Sequence, residues 1–254
     1  MKLVCGLLVT AAVLVGQEPY SRLRQTGPQA LAIAYHCDPG QRAKLRERMV
    51  KGGVARFESW KKEGILEDYH ILFNSYLDSD TYDMLAILTF ERYTDVERWH
   101  EIERTMPGGL PQDIASLLSS AVTYSLDALR QAASKTPVQR GRSVFFIIPY
   151  DLVVSTDDYV KYVDSYVVPQ VNGWIDEGVL GAYTMYLSRY STARPWGSLL
   201  VLEYRDLEAF GRREATVAKV REKLKANPSW LAASENKQNI RVEGRTIIAE
   251  ELLP

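Results

Sequence analysis

Apolar and polar positions along this chain follow two rhythms, and the rhythms take turns in the same order twice. Alternation, or a short unbroken apolar run, marks strands at "ALAIAYHC" (30–37), within "WKKEGILEDYHILFNSY" (60–76) and at "YDMLAILTFE" (82–91). After the first of these, Leu45, Met49, Phe57 and Trp60 recur at helical spacing and predict a helix over roughly 40–62. The second round opens on "SVFFIIPY" (143–150). It continues with a helix over roughly 156–176, carried by Tyr159, Val163, Tyr166, Val171 and Trp174, with Thr156 or Asp157 as its N-cap. Strands follow within "WIDEGVLGAYTMYLSRY" (174–190) and at "WGSLLVLEYR" (196–205). A second helix begins near Asp95 in one round and near Asp206 in the other, and "GRTIIAEEL" (244–252) closes the second round as a strand. Its counterpart, "AVTYSLDALRQAA" (121–133), alternates at its start and drifts to helical spacing at its end; its start reads as strand.

The two rounds share more than rhythm. The windows 60–76 and 174–190 have Trp60/Trp174, Glu63/Glu177, Gly64/Gly178, Leu66/Leu180, Tyr69/Tyr183 and Tyr76/Tyr190 in common. Six identities in 17 positions compare with about one for unrelated sequence, so an internal duplication is the economical explanation. The same offset pairs Leu85 with Leu199, Leu88 with Leu202 and Phe90 with Tyr204, before "TDVERW" and "RDLEAF" resume after a three-residue slip. Both long helices are interrupted in the same region, by Gly52-Gly53 and by Pro169, which predicts a kink in each. Gly64 and Gly178 are expected just past the helix ends. The polar "SKTPVQRGRS" (134–143) contains Pro and Gly and reads as a linker. The expected organisation is therefore α+β: a ferredoxin-like βαββαβ unit over 30–133, a linker over 134–142, and a second such unit over 143–254. A sheet of that kind carries helices on one face only, so the two bare faces are expected to pack sheet to sheet.

The strand–helix–Gly–strand layout, with "LLVLEYRDLEAF" running from third strand into helix, resembles the dimeric α/β-barrel superfamily over about residues 30–254. That group holds antibiotic-biosynthesis monooxygenase-like, stress-responsive barrel and NIPSNAP-like domains. The resemblance implies a barrel closed within one chain. It spans cofactor-independent oxygenases, cyclases, haem proteins and proteins of no assigned activity, to which exported tandem fusions are similar.

Composition narrows the partners. A formal charge of -1 provides no global basic field for nucleic acid. Fifteen tyrosines and five tryptophans are enough to fill two cores with rings. The opening "MKLVCGLLVTAAVLVG" carries one Lys and then an uncharged apolar run too short to span a bilayer as a helix. It suits a secretory signal over 1–16, followed by an extension over 17–29. Export to the periplasm or the medium follows as an expectation, with no stable membrane insertion once the leader is gone. Removal of the leader takes Cys5 with it, leaving Cys37 as a lone thiol that reads as a small buried hydrophobe. No Cys or His spacing makes a metal site, and no phosphate loop, nucleophile elbow or HExxH helix is present.

Strand faces locate the candidate chemistry. In the first round Tyr69, Ile71 and Phe73 should pack under the helices, leaving His70, Leu72, Asn74 and Tyr76 on the inter-sheet side. In the second round Tyr183, Met185 and Leu187 oppose Thr184, Tyr186, Ser188 and Tyr190. Phe90 and Tyr204 belong under helices, which puts Thr89 and Glu203 inside. Polar groups in such a place must be bonded or wet, so they either cross-brace the sheets or line a ligand cavity. His70 is the candidate general base, with Glu203 to orient it. Asn74, Tyr76, Thr89, Tyr186, Ser188 and Tyr190 are candidate ligand contacts. His36 and His100 read as a strand end and a solvated helix face.

Three functions stay open: an exported binding or scaffold protein with a small-molecule ligand, a cofactor-independent monooxygenase or cyclase, and a haem or metal protein. No cofactor is assigned by any motif. Homodimerisation through outer strands or helices also stays open.

Overall fold

The computed structural model describes residues 29–190 and 195–254. The expected leader and all of the extension but Gln29 lie outside the described residues. The first half runs β1 (Gln29–Cys37), α1 (Arg42–Arg48), α2 (Val54–Lys62), β2 (Asp68–Asn74), β3 (Met84–Phe90), α3 (Asp95–Thr105), α4 (Gln112–Ala115) and β4 (Leu118–Ala133). The second runs β5 (Val144–Leu152), α5 (Thr156–Tyr162), α6 (Val168–Asp176), β6 (Leu180–Ser188), β7 (Ser198–Tyr204), α7 (Leu207–Gly211), α8 (Arg213–Leu224), α9 (Pro228–Asn236), β8 (Arg241–Glu243) and β9 (Ile247–Glu251).

The strands form one antiparallel barrel of eight, in the order β7-β6-β4-β1-β3-β2-β9-β5, closed by pairing of β5 with β7. The short β8 continues the line of β9 along β5, since Tyr150 faces Glu243 where Ile147 faces Ile247. The expected face-to-face packing of two sheets is thus realised as edge-to-edge closure: β4 bonds β6 and β2 bonds β9. An open edge leaves a row of unpaired N–H and C=O groups, and here each half satisfies the other's.

Local signals explain the pieces. The interruptions at Gly52-Gly53 and Pro169 appear as π-helical turns, Met49–Gly53 and Val163–Val167, so each long helix runs on through an extra residue and does not break. Pro169 follows the second π turn directly, and the extra residue there accommodates a position that cannot donate a helix hydrogen bond. The second-round helix is capped one residue earlier than expected, by Ser155, whose Oγ accepts from the Asp158 N–H. Asp206 caps α7 as expected, accepting from the Ala209 N–H at 2.7 Å. Gly64 and Gly178 adopt φ of 66° and 77°, the left-handed turn that ends a helix without a Cβ clash.

The ambiguous stretch over 121–133 is strand throughout. A bulge between Ala128 and Arg130 shifts its register. Before it Tyr124, Leu126 and Ala128 face the barrel interior; at it Leu129 turns to the helical side. That one-residue slip mimics helical spacing in the sequence.

Three cores result. Under the first-half helices, Phe57, Trp60, Tyr69 and Trp99 pack ring against ring. Under the second-half helices, Tyr162, Tyr166 and Trp230 stack in a row with centroids 5.1 and 5.3 Å apart. The barrel interior is the third: Ala30, Ala32, Ala34, Ala128 and Ala249 leave the room that Leu72, Phe145, Tyr124, Tyr186 and Trp196 fill. Among the described residues no helix is long and apolar enough to cross a membrane.

Because the interior is filled by large rings set against alanines, added bulk there must strain the barrel. Ala32→Leu is expected to lower unfolding free energy by about 1–3 kcal/mol, read as a fall in urea midpoint with unchanged slope.

Candidate active site at the barrel seam

His70 lies on β2, one position before Ile71, and faces the barrel interior with Leu72. Leu72 pairs with Glu251 on β9, so Glu251 is a diagonal, same-face neighbour of His70 across the seam between the halves. The next strands round the barrel are β5 and β7, where Phe145 pairs with Glu203. One mouth of the barrel therefore collects His70 from the first half with Glu251, Phe145 and Glu203 from the second.

The contacts are specific. His70 Nδ1 stands 2.9 Å from Glu251 Oε1. Glu251 also accepts from Arg140 Nη2 at 3.0 Å, and its side chain is only 2 % exposed. The imidazole tilts against Phe145 at 5.5 Å between centroids, with 35 % of its side-chain surface open. Glu203 accepts from Ser143 Oγ at 2.7 Å, and Lys61 pairs with Asp68 at 2.6 Å. His70, Glu251, Arg140, Glu203, Lys61 and Asp68 line a solvent-open pocket of about 340 Å3, walled on another side by Ser134, Thr136, Pro137 and Val138. The stretch read as a mere linker is thus a wall of the pocket. It is pinned by Ser134 N–H to Gly181 O and by Arg205 to Thr136 O.

Electrostatics point one way. Burial pushes the His70 pKa down, but the hydrogen bond and charge of Glu251, with Asp68 and Glu203 beyond, outweigh it and hold the ring above its ordinary value. Burial pushes the Glu251 carboxyl up, yet His70 and Arg140 hold it below the usual range. A carboxylate on Nδ1 fixes the tautomer in which Nε2 carries the lone pair, and no described residue bonds Nε2. A base so oriented, its proton affinity raised by Glu251, can take a proton from a bound hydroxyl or activated carbon.

The sequence-predicted residues divide. His70 and Glu203 share the pocket, and Thr89 sits on β3 opposite Asp68, near this mouth but not in its lining. Tyr76 and Tyr190 do not face the interior: both stand about 60 % exposed in the turns after β2 and β6, where strand alternation has ended. Asn74 is buried, but its amide ties a turn, donating to Tyr82 O and accepting from the Tyr76 N–H. Tyr186 packs inside the barrel, its phenol pushed up to about 12 by burial. Ser188 lies half-buried at the far end of β6. None of these five lines the His70 pocket. Glu251 and Arg140 went unnoticed because one sits in a strand called only by its apolar residues and the other in the linker. Alternation along "TIIAEEL" does place Glu251 on the face of Ile247 and Ala249.

The opposite mouth holds a second pocket of about 340 Å3, lined by His36, Asp80, Tyr82, Tyr124 and Trp196; Asp80 pairs with Arg245, and no carboxylate bonds His36 among the described residues. Cys37 is half-buried beside Asp83; burial and that carboxylate push its thiol up to about 12, which makes it a poor nucleophile. Among the described residues no group of three metal-ligating side chains is assembled.

No protein-family model matches the chain, and no curated protein matches it in sequence. Solved structures do match in shape. A provisionally assigned monooxygenase from Lactobacillus acidophilus superposes with TM-score 0.56 at 11 % identity, over 90 % of this chain and 95 % of that one. An anthrone oxidase-like protein gives 0.52 at 13 %, over 89 % and 92 %. Chlorite dismutase from Candidatus Nitrospira defluvii gives 0.51 at 13 %, over 91 % and 92 %. At such identities the likeness establishes the fold alone, a closed antiparallel barrel flanked by helices, and carries no activity.

The dyad makes stability depend on pH. A histidine raised on folding stabilises the fold below its unfolded pKa, and that contribution fades as pH rises through the folded value. Glu251, held down, contributes above its unfolded pKa and fades as pH falls through the folded value. Both are in full effect between about pH 5 and 6, inside the ordinary glutamate and histidine values. Glu251→Gln is expected to lower the His70 pKa in an NMR titration of the ring. It should cost about 1–3 kcal/mol of stability at pH 6 and less at pH 9.

Proposed function

We propose that the protein binds a small, weakly acidic molecule at the His70 mouth, and that His70, oriented by Glu251, serves as general base. The observation that carries this reading is the chain Arg140–Glu251–His70: a buried carboxylate held from both sides, aiming an unbonded Nε2 at an open pocket. Removal of a proton from a phenol or enol is the first step shared by cofactor-independent oxygenation and cyclisation. The monooxygenase and anthrone oxidase-like names among the structural neighbours favour substrates of this class. Glu203, anchored by Ser143, faces the same space and would hold a substrate hydroxyl by accepting from it. The pocket, at about 340 Å3, lies at the small end of ligand sites, which fits a molecule of one to three rings.

The tandem order of elements and the matched windows support a duplicated ferredoxin-like unit as the origin of the barrel. The leader-like opening supports export as the setting in which the protein works. A scaffold role is the second reading, favoured by one observation: the middle of the barrel is packed with side chains and not hollow.

Thermal-shift screening of phenols, enols and anthrone-type compounds, on wild type and His70→Ala, tests the proposal. A stabilising compound should lose its effect in the variant, and any turnover should fall at least about 100-fold. The logarithm of kcat/KM should climb with pH and level off above the His70 pKa, and Glu251→Gln should move that limb to lower pH. Compounds that stabilise both proteins equally would leave the scaffold reading in possession.

A further inference from the structure

The second half carries an addition that the first lacks. Between α3 and β4 the first half has only a 3-10 turn at Pro107–Gly109 and α4; between α8 and β9 the second inserts α9, a 3-10 turn at Lys237–Asn239, and β8. This insert, with the helices beside it, borders a basin of about 480 Å3 on the helical side of β5. Its charged lining is Arg221, Lys237, Arg241 and a single carboxylate, Glu243. An inner recess of about 60 Å3 shares Arg221 and Arg241 with the basin and reaches Trp174.

The cations are built in, not draped over the surface. Arg221 Nε donates to Gln170 Oε1 at 2.8 Å, and Gln170, itself buried, is locked by its Nε2 to Tyr166 O at 3.1 Å. Arg241 lies over the Tyr150 ring at 4.1 Å and donates from Nε to Tyr162 Oη at 3.0 Å, with 13 % of its side chain exposed. Its Nη1 meets Glu243 at 3.2 Å. Both Nη groups of Arg221, Nη2 of Arg241 and the Lys237 ammonium have no partner among the described residues. One carboxylate against three cations leaves two positive charges uncompensated in a concave space. The second, independent observation is inside: the Trp174 Nε1–H is buried and unbonded. Trp174 itself lines the recess that Arg221 and Arg241 share with the basin, and its buried indole donor has no acceptor among the described residues.

We infer that this basin binds a compact anion bearing several oxygens, of phosphate or carboxylate type. The two guanidinium groups offer planar donors already fixed by Gln170 and Tyr162, so little ordering remains to oppose binding. Lys237 adds a point charge at the entrance, and Trp174 bonds an acceptor atom that reaches the recess.

The test is thermal unfolding of the full chain with inorganic phosphate, pyrophosphate or citrate, each against sodium chloride at matched ionic strength. At least one probe should raise Tm saturably, and Lys237→Gln and Arg221→Gln should each weaken its apparent affinity about tenfold or more. Lys219→Gln, on the same helix as Arg221 but paired with Glu177, should leave it unchanged. The indole N–H resonance of Trp174, assigned with Trp174→Phe, should move on titration. Should Arg221→Gln fail to fold, Lys237→Gln decides, because removing its ammonium breaks no bond within the described residues. No saturable rise with any of the three probes, or the same affinity in Lys237→Gln as in wild type, overturns the proposal. A Trp174 resonance that stays still through saturation removes the recess from the site.

Discussion

Barrel closure is the constraint on which everything else in this molecule depends. Each half folds into four strands with helices on one side, and each is left with two open edges, β4 and β2 in one, β6 and β9 in the other. Backbone donors and acceptors on such edges must find partners; β4 joins β6 over seven residue pairs, and β2 joins β9 over the three from Leu72 to Asn74. Closure also buries the bare faces, which is why the interior can be written in alanines on β1 and large apolar residues opposite them. Side chains stitch the two joins. Arg189 grips Asp127 beside β4 and β6, and Arg46 reaches from α1 to Glu250 on β9 with Nε and Nη2, at 2.8 and 3.0 Å. The second pair is half exposed and contributes little energy; the buried Asp127 matters more, since leaving it unpaired would strand a charge.

The same joins create the chemistry. His70 belongs to one half and Glu251 to the other, and they meet only because β2 and β9 share an edge. Neither half alone could tune the imidazole. The chain between the halves takes part as well: Arg140 reaches back to Glu251, and residues 134–138 wall the pocket. The two halves are nevertheless not equivalent. The position of His70 is occupied by Thr184 in the second half, and the long α8-to-β9 connection has no match in the first. Two halves of like plan close the barrel, and the places where they differ hold the candidate site and the basin beside β8.

Local elements were legible in the sequence because their signals are local. Helix ends at Gly64 and Gly178, the interruptions at Gly52-Gly53 and Pro169, and the faces of β2, β3, β6 and β7 all follow from neighbours within a few residues. β4 was half legible, since its bulge breaks the alternation on which the reading relies. Of the candidate site, His70 and Glu203 were placed on the correct face, while Tyr76 and Tyr190 were misplaced because alternation was carried two residues beyond the last paired residue of each strand. Glu251 and Arg140 escaped notice because nothing near them in the chain marks them as partners of His70.

By itself, then, the order of residues determined a doubled strand–helix plan, the side of each strand that helices cover, and the imidazole that looks inward. Periodicity and capping are short-range effects, and a linear reading captures them. The tertiary structure alone decided which edges join, that the space between the sheets is filled at its middle and open at its ends, and which carboxylate meets the imidazole. Those outcomes depend on residues such as His70 and Glu251, 181 positions apart, brought within 2.9 Å by pairing that only the whole closed barrel can satisfy.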